Sequence, residues 1–152
     1  MRAETETPSA KRNLVERWFH EVWERGNLSA VKELLAPELP NGALRGNAVT
    51  SVEDIATMVE ILQESSLSRR VAFDLFIEQG DWICCCYCMH VQTEGRDQPV
   101  KIEGTTLFCI EEGCITAVRS RLDSLSVFEQ LGLMPKDTFA GCLSGQRLIW
   151  SA

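Results

Sequence analysis

The chain has 152 residues, 45% of them hydrophobic and 24% charged, the proportions of a globular domain able to close one core without disulfides or a structural metal. Lys plus Arg number 15 against 22 Asp plus Glu, a net charge of -7, so the cationic footprint needed for a phosphate backbone or an anionic bilayer is missing; neither nucleic acid nor membrane is expected as a partner. The longest apolar run, Trp82 to Met89, falls far short of the ~20 residues of a spanning helix, and MRAETETPSAKRN has no apolar signal core, which gives the expectation of a cytoplasmic protein.

Residues 1–12 are polar and aperiodic and read as a disordered tail. Asn13 can cap a helix whose apolar positions Val15, Trp18, Phe19, Val22 and Trp23 recur at spacings of three and four, with Gly26 as its stop. A second helix runs from Leu28 to about Ala36 and ends at Pro37; the Pro- and Gly-rich stretch PELPNGALRGN reads as a loop. Ser51, with Glu53 and Asp54 in the first turn, opens a third helix that runs to about Ser65, with Ile55, Met58, Val59 and Leu62 as its inner stripe.

Beyond Ser68 the apolar period changes to two and the β-branched and aromatic content rises. Four strands follow: Val71 to Glu78, Trp82 to Thr93, Val100 to Ile110, and Cys114 to Leu122, with turns at Gln79-Gly80-Asp81, at Glu94 to Pro99 and at Glu111-Glu112-Gly113. A last helix spans about Ser124 to Leu131 and stops at Gly132. Helices grouped before a meander predict an α+β fold, residues 13–135, with helices on one face of a curved antiparallel sheet and a pocket between them. Residues 136–152 hold Phe139, Leu143, Leu148, Ile149 and Trp150; so apolar an extension is expected to dock on the domain or on a partner subunit.

Seven cysteines are an odd number, four of them crowd into Cys84, Cys85, Cys86 and Cys88, and the two histidines, His20 and His90, lie far apart. Neither a disulfide framework nor zinc-ligand spacing results, so no metal and no cofactor are expected, and the thiols read as small hydrophobes of a buried strand. On that strand Trp82, Cys84, Cys86, Cys88 and His90 share one face and Ile83, Cys85, Tyr87, Met89 and Val91 the other. With both faces apolar, both should be covered, by helices or by the sheet of a second subunit in a homodimer.

Candidate chemistry is sparse. His90 shares its face with Cys86 and Cys88, which could form a thiol–imidazole pair, or it is a half-exposed histidine near a strand end. Asp123 is either a general base at the pocket rim or the N-cap of the last helix, with Ser126 and Glu129 as a competing capping signal. Tyr87 is an oxyanion donor or a buried aromatic hydrogen-bonded at its tip; Trp18, Phe19 and Trp82 line an apolar cavity or are core. His20, on the polar side of the first helix, is expected in solvent.

Three stretches, VERWFHEVWERGN (Val15 to Asn27), LSAVKELLAP (Leu28 to Pro37) and Gly104 to Pro135, resemble the SnoaL-like polyketide cyclases and ester cyclases of the nuclear transport factor 2-like superfamily. The hairpin Glu112-Gly113-Cys114-Ile115 and the ending Gln130-Leu131-Gly132-Leu133 carry most of the similarity. The resemblance implies a cone-shaped fold around a deep apolar pocket and a homodimer joined through the sheet. In those cyclases a pocket aspartate, with a nearby histidine, acts as acid and base. Their positions fall on Ser120 and Thr106, so the resemblance implies that the acid–base pair is lost. Arg119, Arg121 and Asp123 fall short of the Asp-Arg-Asp arrangement of limonene-type epoxide hydrolases, since Asp74 is the only spare carboxylate.

The expectation is a domain that binds a small apolar molecule in its cone, against Trp18, Phe19, Trp82, Cys86, Thr106, Phe108, Val118, Ser120 and Leu122. Two alternatives stand beside it: a cyclase or isomerase using Asp123 or His90 as base, and a non-catalytic binding or assembly module.

Overall fold

A computed structural model describes residues 7–149. The first helix, α1 (Ala10–Trp18), is capped by Ser9, whose Oγ accepts from the Arg12 backbone N–H at 3.0 Å. Asn13, the expected cap, lies inside the helix. Ala10, Lys11 and Arg12 are strong helix formers, and Ser9 satisfies a free donor ahead of them, so the helix begins within the expected tail.

The rod continues as a π-helical turn, Phe19–Glu24, closed by a 3.1 Å bond from Arg25 N to His20 O and stopped at Gly26 with φ 70°. Its loosened end presents the carbonyls of Trp23 and Glu24, and Arg69 takes both through Nε, with Nη2 on Glu24 O at 2.9 Å and Nη1 on Ser66 Oγ at 2.8 Å. One guanidinium thereby satisfies acceptors that the helix end leaves unpaired.

Helix α2 (Leu28–Leu34) and helix α3 (Val52–Ser65) follow. Ser51 caps α3 in the reciprocal box with Asp54, as its spacing predicts. The Thr50 and Ser51 N–H groups donate to Asp54 Oδ2 at 2.8 and 2.9 Å. These bonds, the Thr50 backbone foremost, hold the Asp54 carboxyl below its usual range.

The curved sheet has the order β1-β5-β4-β3-β2. Strands β2 (Ser68–Gln79), β3 (Trp82–Gln92), β4 (Val100–Glu111) and β5 (Cys114–Leu122) form the antiparallel meander. Strand β1 (Leu44–Arg45) lies parallel to β5 within the stretch expected to be loop; two residues are too short to show a period. Register sets Thr106 opposite Cys85 and Ser120, and Phe108 opposite Ile83 and Val118. Between Phe73 and Leu75 the β2–β3 register shifts, so Asp74 is the extra residue of a bulge.

Burial along β3 alternates strictly: Ile83, Cys85, Tyr87, Met89 and Val91 are buried, while Trp82, Cys84, Cys86, Cys88 and His90 are partly exposed. Of the buried set, Ile83, Cys85 and Tyr87 face α1, the π turn and α2 in one cluster with Val15, Trp18, Phe19, Val22 and Val31, while Met89 and Val91 form a second cluster with Val100. Among the described residues no element covers the other face of the sheet. Trp82 and Cys86, expected in the pocket, therefore stand on the outer face. Hydropathy could not choose between two apolar faces; the register to Thr106 does.

After β5, α4 (Ser124–Gln130) packs on β4, and a short helix, α5 (Thr138–Leu143), packs on α4. Its start is anchored by Thr138 N donating to Glu129 Oε1 at 2.9 Å. Phe139 and Leu143 remain exposed, while Trp150 lies outside the described residues. Among those residues no helix is long and apolar enough to cross a membrane.

Candidate functional site

The space between the helices and the inner face of the sheet is occupied by rings. Phe108 is fully buried, and Trp18 and Phe19 nearly so. Phe108 meets Trp18 and Phe19 edge-on at centroid distances of 6.3 and 6.0 Å, and Phe19 lies 4.5 Å from Tyr87 and 5.3 Å from Phe73. Such edge-to-face pairs favour one close-packed arrangement. Of the residues expected to line a pocket, Trp18, Phe19 and Phe108 are thus brought together as core, with Val118 packed against them.

Within this apolar layer sits a small polar group. Thr106, 2% exposed, has its Oγ1 2.8 Å from Ser120 Oγ. Tyr87 stands beside them: burial raises the pKa of its phenol, and the Thr106 and Ser120 hydroxyls pull the other way. Gly104, opposite Tyr87, is required by close approach, since a Cβ there would lie 2.7 Å from Tyr87 Oη and 2.8 Å from Leu122 Cδ2. A glycine inside a strand is a signal of such an approach, and it is legible in the sequence. Three hydroxyls can donate and accept hydrogen bonds to a ligand's carbonyl or hydroxyl, but none is a base near neutral pH.

The other candidates lie apart from this group. Asp123 is exposed and caps α4, its Oδ1 accepting from Ser126 N at 3.1 Å. The competing pair does other work: Ser126 Oγ accepts from Gln130 Nε2 at 3.2 Å and Glu129 holds Thr138. We expect Asp123→Asn to leave the thermal midpoint almost unchanged and Asp123→Ala to cost about 1 kcal/mol, because asparagine caps as well as aspartate. Equal losses in the two variants by thermal denaturation would show that the charge matters for more than the cap.

His90 lies on the outer face between Arg70 and Lys101, with Nε2 3.9 Å from Cys88 Sγ. Burial first, then the Glu103 carboxylate, pushes the Cys88 thiol up, the opposite of what a nucleophilic thiolate needs. Cys86 Sγ lies 3.5 Å from Thr105 Oγ1. His20, half-exposed, pairs its Nδ1 with Glu24 Oε2 at 2.7 Å. Among the described residues no three His, Cys, Asp or Glu side chains group as metal ligands.

A cleft of about 740 Å³ crosses the outer face. One wall is Ala72, Cys88, Glu103 and Asp123, the other Asp74, Cys86, Thr105 and Arg121, and the floor is Phe73, Tyr87, Gly104 and Leu122. Its lining includes no residue of a helix, which places it on the uncovered side. Cys86 therefore borders a groove other than the expected cone, whereas Leu122 keeps its side chain on the inner face beside Tyr87 and contributes to the groove's floor. A second cleft, about 460 Å³, lies between α2 and α3 against Val31, Leu35, Leu39 and Val52.

The family model of SnoaL-like polyketide cyclase matches residues 13–131. No curated protein is significantly similar to the chain. Among solved structures, a candidate polyketide cyclase from Acidithiobacillus ferrooxidans is similar at 17% identity and a TM-score of 0.68, covering 86% of this chain and 99% of that one. TsrD from Streptomyces laurentii is 15% identical with a TM-score of 0.67, covering 84% and 98%. A protein of ketosteroid isomerase-like fold from Catenulispora acidiphila is 20% identical with a TM-score of 0.62, covering 78% and 92%. At these identities the three speak for the fold.

Proposed function

Because the chain belongs to the SnoaL-like polyketide cyclase family, we propose that it is a small-molecule-binding domain that keeps the cyclase scaffold without the acid–base pair. The observation that carries this reading is the hydroxyl contact between Thr106 and Ser120, 2.8 Å apart on the inner face, at the two positions where the family resemblance implies a histidine and an aspartate. Binding requires the ring packing of Trp18, Phe19 and Phe108 to open, so that the ligand's apolar body takes a place against Phe108 and Val118 and its carbonyl or hydroxyl edge meets Tyr87, Thr106 and Ser120. A phenol held neutral by burial serves as a hydrogen-bond donor, and among the described residues no His, Asp or Glu side chain bonds to the three hydroxyls to act as base for a carbon-bound proton. The domain works in the cytoplasm as a homodimer.

Incubation with a panel of aromatic polyketides and lipids, followed by native mass spectrometry, tests the reading. One compound should be retained per chain, retention should weaken about tenfold in Tyr87→Phe, as expected for a lost hydrogen bond to a buried polar edge, and no product should form. Turnover that disappears in Asp123→Asn or His90→Ala would replace this reading by a cyclase or isomerase with a displaced base.

A second reading, a closed assembly module, is favoured by the ring packing of Trp18, Phe19 and Phe108. It is the outcome if nothing is retained.

A further inference from the structure

The first helix is held unequally at its two ends. At the Glu24 end, the Arg69 guanidinium donates to Trp23 O at 3.1 Å, to Glu24 O at 2.9 Å and to Leu62 O of α3 at 3.4 Å, and Glu24 Oε1 accepts from the Val71 N–H of β2. These groups are partly buried, where charge-assisted bonds are strong. At the Ser9 end, the contacts among the described residues are exposed or half-exposed. Ser9 Oγ donates to Glu78, Lys11 Nζ donates to Gly80 O at 2.6 Å, and the Arg12 guanidinium, paired with Glu16, sits 4.5 Å from the centre of the Phe76 ring. Contacts of this kind contribute little each. Between the two ends, α1 and the π turn carry Val15, Trp18 and Phe19 into one cluster with Ile83, Cys85 and Phe108 of the sheet.

We infer that α1 is a lid over the inner site: it tilts about the Arg69 clamp and opens at the β2–β3 hairpin, lifting Trp18 and Phe19 away from Phe108 to admit the ligand. The inference rests on the binding reading above and says how the filled site empties. Tyr87 and Phe108 belong to β3 and β4 and cannot leave without breaking the ladder between them, whereas Trp18 and Phe19 move together on one helical arm. A tilt about the clamp keeps the backbone bonds of that arm and the contacts of Arg69, and gives up the surface contacts of Ser9, Lys11 and Arg12. It also uncovers the apolar side chains of the arm, so the closed form dominates while the site is empty and a ligand with an apolar body favours the open one. The opening leads to the right place. Phe76, Cys85, Thr106 and Ser120 lie opposite one another across four strands, and Arg12 stands over Phe76 at the edge of this row, so a molecule entering under the raised end arrives over the hydroxyl pair.

Cys85, fully buried in the middle of that row, reports the opening without any ligand. The full chain is alkylated with iodoacetamide under native conditions over a series of sub-denaturing urea concentrations, and each thiol is read by tandem mass spectrometry. Cys85 should react through an opening that hardly depends on urea, because a tilt exposes far less surface than unfolding does. The double variant Lys11→Met with Arg12→Met, which removes the hairpin contacts, should speed this reaction about tenfold. A second buried thiol beside the clamp, Val22→Cys, should react only with the urea dependence of global unfolding, which circular dichroism measures for every variant. A Cys85 that reacts only on global unfolding, or a double variant that reacts at the wild-type rate, would overturn the lid. Equal, urea-independent reaction of both thiols would overturn the pivot at Arg69, since the whole arm would then detach. The lid and the binding reading fail separately: a reactive Cys85 beside an empty retention screen would overturn the binding reading and leave a helix that moves but admits nothing.

Discussion

Replacing Phe108 by alanine should lower the stability of the fold by about 3–5 kcal/mol, the cost of emptying a fully buried aromatic site. The ring has no exposed surface and meets two aromatic neighbours, Trp18 and Phe19, that arrive from a helix and its π-helical continuation. Neither can follow the lost ring without shifting its backbone, so the void stays open and the dispersion contacts along its wall are lost. Urea denaturation gives the measurement. Leu107→Ala is the control: it lies one residue away on the outer face, 38% exposed, and should cost less than half as much. Equal losses would mean that β4 faces the other way.

The fold should also lose stability on the alkaline side, between about pH 9 and pH 12. Cys85 is fully buried, and burial pushes its thiol up from 9.0 to about 12; burial raises Cys84, Cys88 and Tyr87 as well. A group that holds its proton more tightly when folded stabilises the fold fully below the unfolded pKa, and that stabilisation is lost as pH rises toward the folded value. Three pH units on Cys85 set a ceiling of about 4 kcal/mol. Thermal midpoints recorded from pH 7 to 11 should be flat at first and then fall. Cys85→Val, close in volume and without a proton to lose, should make the fall shallower. A slope identical to wild type would remove Cys85 as its cause.

Much of this architecture is legible in the residues. Ser51 with Asp54 marks the start of α3 because capping is a local rule. Alternation on β4 and β5 puts Thr106 and Ser120 on one face, and the structure pairs them. What escapes is either too short or decided by tertiary contacts. Leu44–Arg45 and Thr138–Leu143 contain too few residues for a period. The π turn follows from no propensity; it is held from outside by Arg69, which lies 46 residues beyond Trp23. The pocket is the hardest case. Inward direction can be read for Thr106, Phe108, Val118 and Ser120, but whether inward side chains leave room or fill it depends on ring positions contributed by Trp18 and Phe19 from a distant helix.

The bulge at Asp74 has a consequence for self-association of another kind. An edge strand of twelve residues, β2, with exposed Leu75 and Ile77, would ordinarily invite strand-by-strand growth into fibrils. The bulge throws its row of free donors out of step, and Glu24 takes the outward N–H of Val71. At the far margin β1 offers only two residues. The sheet can display a greasy flank because neither border is a usable template for cross-β propagation.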